Sequence, residues 1–555
     1  MRLNPSCRWF LAFTAAFAVL AGFVFWGTWS LDFVPVMPDD SINRPLSYGD
    51  VLSDWLRGFL THGKFHPGDL LWSGLLISPY FCQELKYAVS LYFAALGMAY
   101  FLRGRGLPPV ASYGAGLLLG FCGYWASLFS AGHGGWFVWM TYGIWPFGLI
   151  DRAVANSRLR HWLLLGATVA WGCLWQADLW LIFTVFTGVY FVWRCVQVRT
   201  FPWKGMLVAG VALFAVGGAG FRHAMVNDLS GRDAQISEGQ TISQEDKSSA
   251  DEREKRWIFV TNWSLPPAET AEFFIPRLNG DTSCPLTLSL GARYGTGVTQ
   301  YTGALGRPKD ASAGNYRQHS LYVGFVTCIL AVFGIVFGLV SKGGKGARGD
   351  LVFFLVAAIL FGLFSLGRYC EPVYRIVFSL PFGDYLRAPV KWHHLTEFCL
   401  CVLAGFGINA LYSLLSRVSS LKALALPIVC AIVLIGAIDL ARVNHLYCAP
   451  VDLREAKRQN SDLQMTFLRK ADFNNPQVAA MVRAKKIVSL AQPNPETYLV
   501  GVLTPRESPT DRSFPALGVA VWLGILSVLA TLGIGTCALL EVCRCHVNRS
   551  GRNCL

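Results

Sequence analysis

The chain has 555 residues, 53% of them apolar and 15% charged, with a mean hydropathy of +0.41. That composition excludes an ordinary soluble enzyme and points to a polytopic membrane protein. The net charge of +14 is split among loops with no aromatic-interleaved stripe, which excludes nucleic acid as the partner and leaves anionic membrane lipids.

About 20 apolar residues cross a bilayer's hydrocarbon, and the hydropathy pattern predicts about twelve such spans. They fall at 9–31, 87–102, 108–130, 136–150, 162–177, 179–194, 205–221, 320–341, 351–366, 393–414, 422–441 and 515–541. The shorter ones call for tilt or local thinning of the bilayer. Arg2 and Arg8 precede the first stretch, but its length and the lack of a small-x-small site predict an uncleaved span rather than a signal peptide. Every second gap is basic: Arg103 and Arg105; Arg152, Arg158 and Arg160; Arg194, Arg199 and Lys204; Lys342, Lys345 and Arg348; Arg417 and Lys422; then the tail. The positive-inside rule puts all of these gaps, and both termini, in the cytoplasm. The expected fold is therefore an all-α integral membrane protein with extracytoplasmic loops. Residues 1–441 form a multi-pass membrane domain, 442–514 an extracytoplasmic segment, and 515–555 the last span with a basic tail.

The outer loops are the informative part. The first, 32–86, opens with Pro38-Asp39-Asp40. Paired carboxylates at the mouth of a span suit a general base or a divalent cation such as Mg or Mn; the plainer alternative is a solvated helix cap. Residues 70–80 are apolar but too short to span, which predicts an interfacial piece. His133 stands among glycines in a tight hairpin, where an imidazole can donate to a phosphate or position an acceptor. Asp178 reads as an exposed turn residue.

In the large loop, 222–319, the stretch from Asp228 to Arg256 is polar enough to predict mobility. Beyond it, Trp263-Ser264-Leu265-Pro266-Pro267 stiffens the approach to a short helix whose first turn holds Glu269, either a helix N-terminal charge or a ligand for an acceptor. The last cluster, 367–392 and just beyond, gathers Arg368, Glu371, Arg375, Asp384, Arg387, Lys391, His393 and His394. Positive charge on the side where the orientation rule disfavours it points to phosphate binding; the plainer alternative is headgroup snorkelling. Sixteen cysteines show no zinc-like spacing and sit mostly in apolar spans. Cys284, Cys370 and Cys448 are the ones placed where an oxidising compartment would let them pair.

The ordered set of motifs resembles the YfhO-like bacterial membrane proteins of the GT-C glycosyltransferase superfamily. It comprises the acidic pair after the first span, Gly132-His133, Trp263 through Pro276 with Gly280, Tyr322-Val323-Gly324, and Leu380-Pro381 through Arg387-Ala388-Pro389. These cover most of residues 30–415, while 442–514 carries no matching motif and Ser41-Ile42-Asn43-Arg44-Pro45 replaces the aromatic-rich start the pattern would have. The resemblance implies a GT-C-like fold in the bacterial cytoplasmic membrane. It also implies transfer of a sugar from a polyprenyl-phosphate carrier to an envelope glycan, lipid or protein acceptor on the outer face. In that scheme Asp39 or Asp40 is the catalytic base. Arg387, Lys391, Arg375 and His133 serve the donor phosphate, and Glu269 and Trp263 position the acceptor or its loop. A lipid-linked glycan flippase would instead need ionisable groups at mid-span, for which Glu397 is the main candidate. A non-catalytic envelope assembly factor is the third reading, and it sits poorly with an intact acidic pair.

Overall fold

The computed structural model describes residues 5–26, 33–35, 79–131, 142–174, 177–225, 249–279, 320–340, 345–447, 450–452, 464–469, 487–494, 497–502 and 518–550, with a few isolated positions. In chain order, α1 (Pro5–Val24) is followed by strand β1 (Phe33–Pro35) and then by α2 (Pro79–Gly104), α3 (Pro109–Gly120) and α4 (Tyr124–Ala131). Next come α5 (Trp145–Asn156), α6 (Leu159–Cys173), α7 (Ala177–Val198), α8 (Trp203–His223) and α9 (Ser249–Val260). A 3-10 helix over Pro267–Phe273 leads toward α10 (Phe325–Val340), α11 (Lys345–Ser365) and the short α12 (Glu371–Ser379). The chain continues through α13 (His393–Arg417), α14 (Ala425–Tyr447), strands β2 (Pro450–Asp452), β3 (Gln464–Arg469), β4 (Ile487–Asn494) and β5 (Thr497–Val502), and ends with α15 (Val519–Ser550).

Seven of the described helices are long and apolar enough to cross a membrane, and α10 is a shorter apolar helix. The architecture is that of a multi-pass membrane protein. Its surface supports this independently: Val185, Val189, Val192 and Val196 recur at helical spacing along α7, and each is 52% to 64% exposed. A continuous exposed apolar stripe is costly in water and natural in lipid, where the helix already satisfies its own backbone.

The predicted spans match described helices with local differences. The stretch 108–130 is two helices, broken at Phe121–Gly123, because the Gly123 N–H donates to Tyr322 O at 2.7 Å. A Cβ on Gly123 would come within 2.7 Å of that carbonyl and of Ser320 Oγ. The span predicted at 320–341 becomes helical at Phe325; its first residues, 320–324, are buried without regular secondary structure, with Ser320 exchanging hydrogen bonds with Ser127 at 2.7 and 3.0 Å. The mobility expected from Asp228 to Arg256 fails over 249–256, which form the first part of α9, anchored by buried Trp257 and Val260. Of the interfacial piece expected at 70–80, Pro79 and Tyr80 open α2 and the rest lies outside the described residues.

Helix α13 is the centre of the bundle, packed by α3, α10, α11 and α14. Its crossing with α10 depends on small residues: a Cβ on Gly407 would sit 1.8 Å from Leu330 O, and one on Gly334 2.4 Å from Leu403 O. Close backbone approach of this kind is how helices associate where lipid removes the hydrophobic drive. An aromatic layer fills the interior beside α13, with Phe147 4.7 Å from Phe398, Phe101 5.7 Å from Tyr190, and Phe354 6.2 Å from Phe398.

Two contacts test the sidedness. Strand β1, just after α1, pairs antiparallel with β2, just after α14, with Phe33 opposite Asp452 and Pro35 opposite Pro450. Residues 35 and 450 therefore share a side, as the even number of spans predicted between them requires. At the other end Arg105 bonds Asp151 (3.5 Å) and Asp350, and Arg194 bonds Asp151 (2.5 Å). Four gaps predicted to lie together thus meet. The bundle has a basic end and a loop end. Among the strands, β3, β5 and β4 form an antiparallel sheet in the 442–514 segment, for which the sequence carries no motif.

Candidate functional site

At the loop end three chain segments are stitched into one tier. The tier begins where α9 stops, at Thr261, whose hydroxyl donates back to Trp257 O at 2.7 Å. Trp263 then takes a left-handed backbone (φ 64°), and its carbonyl accepts the Val390 N–H at 3.2 Å. Ala388, likewise left-handed, donates its N–H to Val260 O at 3.0 Å. Each such non-glycine residue costs about 1–2 kcal/mol, and strain of this sort persists where the surroundings fix it, often at functional sites. Ser264 joins the third segment: its Oγ accepts the Arg368 N–H at 3.0 Å and donates to Thr261 O at 2.6 Å. Gly367 (φ 50°) must be glycine here, since a Cβ would lie 2.1 Å from Ser264 Oγ and 2.6 Å from the Pro389 ring.

Beneath the tier lies a layer of buried ionisable groups. A 3-10 turn over Pro389–Trp392 feeds α13 and carries Lys391 inward, where it pairs with Asp178 in the first turn of α7. Both are buried, Lys391 6% and Asp178 5% exposed. Asp178 Oδ1 also accepts the Leu179 N–H at 2.8 Å. The expectation of an exposed Asp178 is therefore corrected: the residue is the buried counter-charge of Lys391. His393 stacks on Phe273 at 4.2 Å and its Nε2 meets Leu321 O at 3.2 Å. His394 lies against the Tyr124 ring at 4.3 Å. One turn further, Glu397 accepts the Tyr124 N–H at 3.2 Å, with His393 Nε2 and His394 Nδ1 at 3.7 and 3.6 Å.

The other predicted residues divide. Arg387 leaves the tier with its guanidinium 4.8 Å above the Phe259 ring. Trp263 is a tier residue, packed against the core. Glu269 stands in the first turn of the 3-10 helix, as expected, and is buried at 3% exposure. Its neighbour Glu272 accepts the backbone and side-chain N–H groups of Asn279 at 2.9 and 3.0 Å. Arg375 belongs to the surface of α12, bonded to Glu371 at 2.8 Å and lying 3.9 Å over the Trp257 ring, with Glu254 at 3.6 Å. Asp384 takes a contact from Arg256 at 3.4 Å. Tyr374, under α12, donates to Leu386 O at 3.2 Å, and burial pushes its pKa up so that it stays a donor.

Asp39, Asp40 and His133 lie outside the described residues, as do Cys284 and Cys448; Cys370 is half-buried and free. No group of three or more His, Cys, Asp or Glu among the described residues is arranged to hold a metal ion, so the divalent cation expectation rests on Asp39 and Asp40 alone. The sequence reading did not single out Asp178 as a partner. The signal available was that it is the only charge between the mouth of the span and Arg194.

No family model and no curated protein matches the chain. Among solved structures, it is similar to ArnT from Cupriavidus metallidurans in the apo state, at 11% identity and a TM-score of 0.29, covering 90% of this chain and 98% of that one. It is similar also to the same ArnT bound to undecaprenyl phosphate, at 12% identity and a TM-score of 0.28, covering 89% and 98%.

Proposed function

We propose that the protein is a membrane glycosyltransferase of the GT-C kind. It moves a sugar from a polyprenyl-phosphate carrier to an envelope glycan, lipid or protein acceptor at its loop end. By the positive-inside rule that end faces away from the cytoplasm of a bacterial inner membrane. The observation that carries this reading is the buried Lys391–Asp178 pair beneath the strained Trp263–Ala388 tier. Burying two charges costs several kcal/mol per ion before their attraction repays it, and ionisable groups inside membrane bundles mark functional sites.

In the proposed step, one carboxylate of Asp39 or Asp40 accepts the proton of an acceptor hydroxyl. That oxygen attacks the anomeric carbon, forming the new glycosidic bond. The bond from that carbon to the carrier phosphate breaks, and its electron pair leaves with the phosphate. Lys391, held by Asp178, stabilises the charge developing there, with Arg387 and His133 assisting. Trp263 and Glu269 shape the acceptor side. A divalent cation at Asp39 and Asp40 is compatible with this scheme.

The test is transfer of radiolabelled sugar from synthetic polyprenyl-phosphate sugars by the purified protein; undecaprenyl phosphate, the ligand of the second ArnT structure, is the first carrier to try. Asp39→Asn or Asp40→Asn is expected to abolish turnover and thereby identify the base. Full activity in both single variants and the double would sink the proposal.

A further inference from the structure

The geometry points to a second site, at the basic end, that binds the phosphate group of an anionic phospholipid. A cavity of about 400 Å³ opens there between the α2–α3 turn, the end of α10, the start of α11 and the end of α13. That volume lies within the range of small-molecule sites. Arg105, Arg348 and Arg417 reach it from three separate segments, against one carboxylate in the described wall, Asp350. Asp350 is already engaged, since Arg105 Nε and Gln197 Nε2 each donate to it at 2.8 Å. The wall therefore presents net positive charge, and guanidinium forks match phosphate oxygens in pairs.

The rest of the lining selects the source of the phosphate. Asn409 and Ser413, one turn apart on α13, line the cavity with neutral polar groups suited to a glycerol or phosphate oxygen. Phe337 and Leu414 complete it with apolar surface, and they are 38% and 41% exposed. An apolar wall that is also exposed at the edge of the bundle opens sideways to lipid. A free phosphate has no use for that wall, whereas a phospholipid lays its glycerol and upper acyl carbons on it. Basic pockets between helices at the cytoplasmic surface take anionic headgroups in this way. The site is separate from the loop-end layer and does not depend on the proposed transfer.

The experiment uses the full-length protein purified in detergent, exposed to phosphatidylcholine mixed with phosphatidylglycerol, with bound lipid counted by native mass spectrometry. Wild type is expected to retain one phosphatidylglycerol. The Arg348→Gln/Arg417→Gln double variant is expected to lose it by about tenfold in affinity, or roughly 1.4 kcal/mol. Both arginines are exposed, so this variant leaves the fold intact, and Arg442→Gln, a change at the loop end, serves as the control. Equal retention in wild type and the double variant would overturn the site. Displacement by millimolar inorganic phosphate would overturn the lipid as its occupant, and retention in the presence of that phosphate would uphold it.

Discussion

The two ends of the bundle each bury a layer of charge, and the layers are built differently. At the basic end Asp350 accepts from Arg105, Gln197 and Trp193, and Asp151 Oδ1 accepts from Arg194 at 2.5 Å, Tyr190 at 2.8 Å and Arg105 at 3.5 Å. Burial works against the charge on Arg105, but Tyr190, Asp151 and Asp350 outweigh it and leave its pKa above the ordinary arginine value. At the loop end Glu397 takes one backbone N–H, and two histidine nitrogens stand beyond hydrogen-bond range. Both ends hold unsatisfied atoms: the Tyr124 hydroxyl and His393 Nδ1 at the loop end and Asp151 Oδ2 at the basic end have no hydrogen-bond partner among the described residues. Buried polar groups are normally satisfied, so such exceptions ask for a reason. The dense network joins the α2–α3 turn, α5, α7 and α11 as a clamp; the loop-end layer instead sets Lys391 against Asp178 and two histidines around Glu397. Between them lies the packed aromatic layer, and the charged residues of α7, α11 and α13 all stand within two turns of a helix end. A flippase would need an ionisable path through that middle, and the transfer reading needs none.

The largest expected effect breaks the clamp. Asp350→Ala leaves the half-buried Arg105 with only its longer contact to Asp151 at 3.5 Å, and removing one partner of a buried pair costs about 3–5 kcal/mol. Thermal unfolding in detergent should show a steep loss of stability, with transfer activity per folded molecule unchanged. Loss of turnover without loss of stability would reverse the assignment of the two ends.

The loop-end pair should behave in the opposite sense. Lys391→Met is expected to lower turnover by about a hundredfold, the scale of losing one preorganised charge, about 2.7 kcal/mol. Alone it also leaves Asp178 buried without its cation. Pairing it with Asp178→Leu removes that penalty, because an apolar replacement of a buried ion pair is often neutral. The double variant should regain stability and remain inactive; recovery of both would make the pair purely structural. A smaller effect distinguishes a salt bridge from a site acid at Glu397. Glu397→Gln keeps an acceptor for the Tyr124 N–H, so a stability change within about 1 kcal/mol is expected if the histidines do not hold a charge there. A fall of several kcal/mol in the same unfolding assay would make the Glu397–histidine cluster a second clamp.

Much of this layout was legible in the chain. The span predicted at 393–414 is α13 from His393 to Arg417, and the one at 179–194 is α7 from Ala177 to Val198, because twenty apolar residues leave the backbone no other option in lipid. The alternation of basic gaps gave the sidedness that the β1–β2 pairing and the Arg105–Asp350 contact later met. What stayed hidden depends on contacts far apart in sequence. Asp178 and Lys391 are 213 positions apart, and nothing local to either announces the other. The break at Gly123 and the non-helical run at 320–324 exist only because the two segments pack on each other. The helix from Ser249 was masked by a polar first half whose anchor, Trp257 and Val260, comes in its last turn.

The smallest effect concerns a residue that the charge pattern groups with Lys391 and the structure places elsewhere. Arg375 sits on α12, its side chain 37% exposed, with Glu371 one turn before it. An exposed pair at that spacing contributes about 0.3–0.5 kcal/mol, and stacking on Trp257 adds about 0.5–1 kcal/mol. Arg375→Ala should therefore move the unfolding midpoint slightly and turnover by no more than a few-fold, whereas Lys391→Met acts on turnover first. If Arg375→Ala matched Lys391→Met in its loss of turnover while the midpoint held, the donor phosphate would lie across α12 rather than under the tier. The comparison between the two ends would then have to include the surface helix as part of the site.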